Sequence, residues 1–266
     1  MKFSVVTISF NQDRFLQETL DSIRVSPSHQ LQYVIVDPGS TDGSRQRIER
    51  NRSLFHRIIF EKDSGPADGL NKGFAACDGD IFAYVNSDDT LTPQALDSVA
   101  RHFERHPGTD VLFGAVKMVD AEGQSVLRGR TPDRFNLRRY ADGLCYVWNP
   151  STFIRREAFL KAGGFRVENN VHWDGELIVD LALTGARMVY TREVFGTYRL
   201  HDSSMTVSIH RPGDSFGEKS YRQRMRVRER IRSAGIPLYS PAQRNLLRFI
   251  YKFNPARQIR YLLAQR

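Results

Sequence analysis

One pattern governs the first ninety residues: a short β-branched or aromatic run, a polar loop, then a helical stretch, repeated. Residues 3–9 are almost continuously apolar, as expected of a strand buried on both faces. Asn11 stands where it can cap a following helix whose Phe15, Leu16, Leu20 and Ile23 share one face. Further strands are expected at 32–37, 57–61 and 81–86, the first of them ending in the turn Pro38-Gly39-Ser40-Thr41-Asp42-Gly43. Thr92 is expected to cap a helix with Pro93 in its first turn and Leu96, Val99, Ala100 and Phe103 as its inner stripe. Strands alternating with helices at this spacing require right-handed crossovers and an α/β architecture, a mainly parallel central sheet with helices on both faces.

Past residue 110 the pattern is mixed. A strand is expected at 111–119, a turn at Glu122-Gly123, a helix near 156–162, a break at Gly163-Gly164-Phe165, a helix from about 174 to 184 and a last strand at 198–200. The chain then turns helical and basic, interrupted at Gly235-Ile236-Pro237. Residues 1–210 hold 25 Lys+Arg against 27 Asp+Glu, whereas 211–266 hold 14 against 3. We therefore divide the chain into a body, 1–210, and a basic amphipathic helical extension, 211–266. In the extension Leu246, Leu247, Phe249, Ile250 and Phe253 sit among Arg244, Arg248 and Lys252, and Ile259, Tyr261, Leu262 and Leu263 among Arg257, Arg260 and Arg266. Such helices suit an anionic membrane surface, at about 1 kcal/mol per basic residue near it. Packing of the apolar stripe on the body, with solvated arginines, is the other reading. No nucleic-acid motif accompanies the charge. No apolar run approaches the roughly 18 residues of a membrane span. The first strand lacks a signal-cleavage site, and Cys77 and Cys145 form neither a disulfide framework nor a zinc motif. The expected setting is cytoplasmic, peripheral at the inner face of the membrane.

In an open parallel sheet, ligands bind beyond the carboxyl ends of the strands. The residues expected there are 7–11, Asp37, Asp63 with Asp68, and Asn86-Ser87-Asp88-Asp89. Each alone reads as a turn or cap residue. Together, several carboxylates on one edge need a cation or hydrogen-bond donors. Hard oxygen ligands suit Mg²⁺ or Mn²⁺, which keep waters and bind substrate phosphates. Neither a Walker loop nor a Gly-x-Gly-x-x-Gly turn follows a strand, which argues against P-loop and dinucleotide chemistry. A helix starting at Asp174 puts Asp174, Leu177, Ile178 and Leu181 on one face, and its dipole keeps the Asp174 carboxylate ionised and able to accept a proton. A plain capping role is the alternative, and Glu176 is the second candidate. Trp148 and Trp173 are candidate stacking faces for an acceptor sugar, with core packing open for Trp148.

Six or seven motifs occur in an order that resembles the family 2 glycosyltransferases of the GT-A (nucleotide-diphospho-sugar transferase) fold. They are Ser4-Val5-Val6-Thr7-Ile8-Ser9-Phe10-Asn11, Val36-Asp37-Pro38-Gly39-Ser40-Thr41-Asp42-Gly43-Ser44, Asp68-Gly69-Leu70-Asn71-Lys72-Gly73, Val85-Asn86-Ser87-Asp88-Asp89, Gly163-Gly164-Phe165, Trp173-Asp174-Gly175-Glu176-Leu177 and Tyr198-Arg199-Leu200-His201. The resemblance covers roughly 1–205. It implies inverting transfer of a sugar from a nucleotide-diphosphate donor, a UDP-sugar favoured, with Mn²⁺ or Mg²⁺. The acceptor it implies is the hydroxyl of a saccharide or lipid-linked saccharide, in surface polysaccharide or lipopolysaccharide synthesis. By position, Thr7 and Asp37 would hold the base and ribose, with Asp68 and Lys72 near the nucleotide. Asn86-Ser87-Asp88 occupies the place of the Asp-x-Asp element with Asp89 beside it, Asp88 and His201 would bind the metal, and Asp174 matches the general base. Glu176, Trp148 and Trp173 would contact the acceptor. Asn86 and Pro38 stand where aspartates are common. They keep open a competing reading, a non-catalytic membrane- or polyanion-binding protein with a degenerate nucleotide pocket. A nucleotidyltransferase is disfavoured, because no glycine- and arginine-rich phosphate loop follows the first strand.

Overall fold

The structure is a computed structural model that describes residues 1–126, 134–204 and 215–253. Its centre is strand β1 (Lys2–Ile8), whose interior residues are all buried. Phe3 and Val5 face one apolar layer and Val6 the other, the period-two alternation of a strand covered on both sides. Helix α1 (Asp13–Ser22) leads to β2 (Gln30–Val36), α2 (Ser44–Arg50) to β3 (Arg57–Ile59), and α3 (Pro66–Ala75) to β4 (Ile81–Tyr84). These four strands lie parallel in the order β3-β2-β1-β4.

Then follow β5 (Thr90–Leu91), α4 (Ala95–Arg105), β6 (Val111–Val119), α5 (Leu137–Ala141), β7 (Thr152–Arg155), α6 (Arg156–Ala162), α7 (Trp173–Leu183) and β8 (Met188–Arg199). The sheet continues beyond β4 as β7-β6-β8-β5. There the expectation of parallel strands needs refinement: β7 runs antiparallel to both β4 and β6, β8 is parallel to β6, and β5 is antiparallel to β8. The expected strand at 198–200 is the end of the twelve-residue β8, whose polar Thr191-Arg192-Glu193 hid its start from hydropathy.

Leu16 and Leu20 of α1, Ile48 of α2 and Leu96, Val99 and Phe103 of α4 cover one face of the sheet. Leu70 and Phe74 of α3, Phe159 of α6 and Leu177 and Leu181 of α7 cover the other. Truncating any one of these buried side chains to alanine costs about 2–5 kcal/mol. Helix α3 lies so close to β1 that a Cβ on Gly73 would stand 2.4 Å from Val6 Cγ1, so only glycine fits. Two expected caps are different in the structure. Asn11, at φ 53°, accepts from Thr41 N at 2.9 Å instead of capping α1. Thr92 donates to the Val194 carbonyl, and α4 starts three residues later, after Gln94 at φ 62°.

The basic region forms α8 (Ser215–Ser233) and α9 (Pro241–Phe253) on either side of Gly235. Ile231 is buried against Val179 of α7 and Ala141 of α5. Arg228 pairs with Asp142, and Arg230 with Glu176 and Asp180 of α7. The amphipathic stretch expected at 257–266 lies outside the described residues. Among the described residues, no helix is long and apolar enough to cross a membrane.

Candidate active site

The carboxyl ends of β1, β2 and β4 open into a cavity of about 1430 Å³, lined also by α7, α8, α9 and the segment 140–149. Asn86, Ser87, Asp88 and Asp89 lie beyond β4 and line it. The antiparallel pairing of Thr90 with Thr197 and Leu91 with Gly196 brings residues 198–201 alongside 88–89. Arg199 N therefore donates to Asp89 Oδ1 at 2.9 Å, and Arg199 Nε to the Asp88 carbonyl at 2.9 Å. His201 Nε2 stands 3.0 Å from Asp88 Oδ2, while its Nδ1 meets Ser203 Oγ at 2.8 Å. The ring packs on Phe15 of α1. Burial, with the neighbouring Asp88 charge second, holds the Asp89 carboxyl well above the usual carboxylate range.

Four buried oxygens at this sheet edge have no partner among the described residues: Ser9 Oγ, Asp37 Oδ2, Asn86 Oδ1 and Asp89 Oδ2. Buried polar atoms left unpaired cost about 1–3 kcal/mol each, so an unexplained set at one sheet edge is the mark of a ligand site. The donors fit a Mg²⁺ or Mn²⁺ ion of the kind that takes one or two side chains and completes its shell with water and phosphate. Asp88 and His201 converge within hydrogen-bond distance. Among the described residues, no group of three or more His, Cys, Asp or Glu is gathered as a self-sufficient metal cage.

At the end of β2, Asp37 is fully buried. Its Oδ1 accepts from Gly39 N, Ser40 N and Arg45 Nε at 2.8–3.0 Å, which folds the turn. Thr7 does not reach the cavity, contrary to expectation. It is fully buried, and its hydroxyl is 3.0 Å from the Tyr33 hydroxyl inside the sheet. Asp68 and Lys72 form an i, i+4 pair at 3.3 Å outside the cavity wall, where Asp68 also accepts from Ser64 N. Their place on the wall is taken by Lys62 and Asp63. The Asp63 carboxyl is raised, chiefly by burial, and Gly69 of α3 gives it room.

Asp174, in the first turn of α7, lines the same cavity as Asp88 and accepts from Gly175 N at 2.7 Å. Two buried phenols flank it. Burial first, and the Asp174 charge second, push the Tyr84 and Tyr140 hydroxyls well above their ordinary range. The bare Gly175 is what admits Tyr140, whose hydroxyl is 3.0 Å from where a Cβ would be.

Glu176 is not free to meet an acceptor. It is buried, with Oε2 accepting from Asn169 Nδ2 at 2.6 Å and Oε1 paired with Arg230. Trp173, like Glu176, lines the cavity, but it is 5% exposed and packs against Tyr84 and Phe165. Trp148 remains on the wall, half-buried, stacked on Tyr146 and tilted against Tyr198, with Nε1 unpartnered. The sequence patterns missed Tyr140, Asp142 and the wall contributed by α8 and α9. Tertiary packing alone brings them there, and no local signal marks them.

The sequence of residues 4–163 matches the family model for glycosyl transferase family 2. An uncharacterised glycosyltransferase of Nostoc sp. is 25% identical over 221 residues, 78% of this chain and 67% of that protein. Staphylococcus aureus TarS, a poly(ribitol-phosphate) beta-N-acetylglucosaminyltransferase, is 28% identical over 184 residues, 66% of this chain. The match spans only 30% of TarS. In structure, TarS residues 1–349 in complex with UDP-GlcNAc superpose with a TM-score of 0.65 at 21% identity, covering 82% of this chain and 64% of that one. The mannosyltransferase PcManGT of Pyrobaculum calidifontis, in complex with GDP-Man and Mn²⁺, gives 0.59 at 17% identity, covering 92% and 68%. At these identities the likeness concerns the fold, which is that of the GT-A enzymes.

Proposed function

Because the chain belongs to glycosyl transferase family 2, we propose that it moves a sugar from a nucleotide-diphosphate donor to an acceptor hydroxyl, with inversion at the anomeric carbon. The observation that carries this reading is that Asp88 and Asp174 line one and the same cavity. The nucleotide lies over the ends of β1 and β2, where Pro38 and Asn86 line the cavity and the buried Asp37 folds the turn that carries Pro38. A UDP-sugar is favoured, in keeping with the UDP-GlcNAc held by the TarS complex.

Asp174 accepts the proton of the acceptor hydroxyl while that oxygen attacks the anomeric carbon from the face opposite the diphosphate. It stands in the first turn of α7, on the wall of the cavity. Asp88 and His201 would hold a Mn²⁺ or Mg²⁺ ion, which when bound supplies positive charge to the departing diphosphate. Trp148 offers the acceptor sugar a ring face. The product belongs to a surface polysaccharide or lipopolysaccharide. Exposed Leu246 and Ile250 on α9, among arginines, suit a peripheral position on an anionic lipid surface.

The test is incubation with UDP-, GDP- and dTDP-sugars and Mn²⁺, following nucleotide release and the anomeric configuration of the product. Release of one nucleotide with inversion is expected. Absence of donor binding across the panel would refute the reading.

A further inference from the structure

The wall of the cavity built by α8 and α9 differs in charge from the rest. Every charged side chain that these two helices contribute to it is an arginine: Arg224, Arg228, Arg244 and Arg248. Arg228 is matched by the buried Asp142, and Arg244 Nε lies 3.8 Å from that same carboxylate. Two guanidinium groups thus share one carboxylate. Arg224 and Arg248 have no carboxylate partner among the described residues, and Arg224 makes only a 3.5 Å contact to Ser220 Oγ. This wall therefore carries an uncompensated positive charge facing into the cavity.

A chain of contacts fixes its position relative to the reaction centre. His172, two residues before Asp174, meets Ser220 Oγ through Nε2 at 2.7 Å, and Ser220 lies one turn before Arg224 on α8. The His172 imidazole, lowered mainly by burial, is pulled in opposite senses by Asp174 and by Arg224, so both charges stand near it. On the glycosyl-transfer reading the donor's diphosphate lies beside Asp88 and His201, whose side chains meet each other and not these arginines. An anion at Arg224 and Arg248 must arrive with something else.

We propose that Arg224 and Arg248, with Arg244 behind them, bind a phosphate carried by the acceptor and so hold its hydroxyl beside Asp174. The guanidinium fork pairs with phosphate oxygens through two parallel hydrogen bonds, which orients the bound group as well as attracting it. The substrate class is then a phosphate-bearing saccharide or polyol, soluble or lipid-linked. This rests on the glycosyl-transfer reading.

The test titrates glycerol 1-phosphate and octyl phosphate by calorimetry into the full chain presaturated with UDP and Mn²⁺. It compares wild type, Arg224→Ala/Arg248→Ala and Arg222→Ala, the last an exposed arginine paired with Glu218 away from the cavity. Both probes should bind wild type and Arg222→Ala alike, and at least tenfold more weakly to the double variant, with thermal melting unchanged. Octyl phosphate binding tenfold tighter identifies a lipid-linked phosphate as the source. Equal affinities identify a soluble one. Wild-type affinity in the double variant, no binding to wild type, or displacement of UDP by either probe would overturn the proposal. Failure of UDP itself to bind would instead remove the transferase reading, at a separate step of the same experiment.

Discussion

The hydroxyl of Thr7 is engaged with Tyr33 inside the sheet, so its removal acts on stability and not on the nucleotide. Thr7→Val leaves the buried Tyr33 hydroxyl unpaired. We expect a loss of about 1–2 kcal/mol in denaturant unfolding and a UDP affinity within twofold of wild type. A large loss of UDP affinity at unchanged stability would return Thr7 to the site. Residue type and position along a strand show which side chains come to the carboxyl edge, as for Asp37, Asn86, Asp88 and Asp89. They do not show which atoms are already engaged. Glu176 and Trp173 read as acceptor contacts because they sit in a motif beside Asp174, yet one is bound by Asn169 and Arg230 and the other by Tyr84 and Phe165. Those partners lie outside the motif in sequence, or on another element.

At the scale of elements, the helix that bears Asp174 is held by the helix that follows the body. Glu176 and Asp180 of α7 are buried and meet Arg230 of α8 and, from the loop before α7, Arg166, with Arg166 Nε 2.8 Å from Asp180. Arg230→Ala leaves two buried carboxylates with one cation. A destabilisation of about 2–4 kcal/mol should follow, with kcat falling while the donor dissociation constant holds, and Arg230→Lys should recover part of both. Unchanged melting and unchanged kcat would show that α8 is a passive neighbour. The helical nature of 215–233 was legible from its composition and from the break at Gly235. Its docking was not, because arginines at alternate positions spread charge around the helix and give no preferred face. By contrast α1 and α4 were legible down to their inner stripes, since Leu16, Leu20, Leu96, Val99 and Phe103 repeat at helical spacing and are buried as that spacing requires.

For the whole molecule, the sheet is built in two halves with different tasks. The parallel half, β3-β2-β1-β4, presents its loop ends to the cavity, as its alternating pattern announced. The other half returns the chain antiparallel, so that β8 delivers Arg199 and His201 to the Asp88–Asp89 loop, a long-range pairing that no local periodicity records. Asp88 and Asp174 both line the cavity. The central claim is that these two carboxylates do different work on one substrate pair. It is tested most directly by a single-turnover assay of Asp174→Asn with a donor that the wild type turns over. The account predicts donor binding within twofold of wild type and a transfer rate lowered at least a hundredfold, within the roughly 10²–10⁴ span of general-base catalysis. Transfer at the wild-type rate by Asp174→Asn would contradict it.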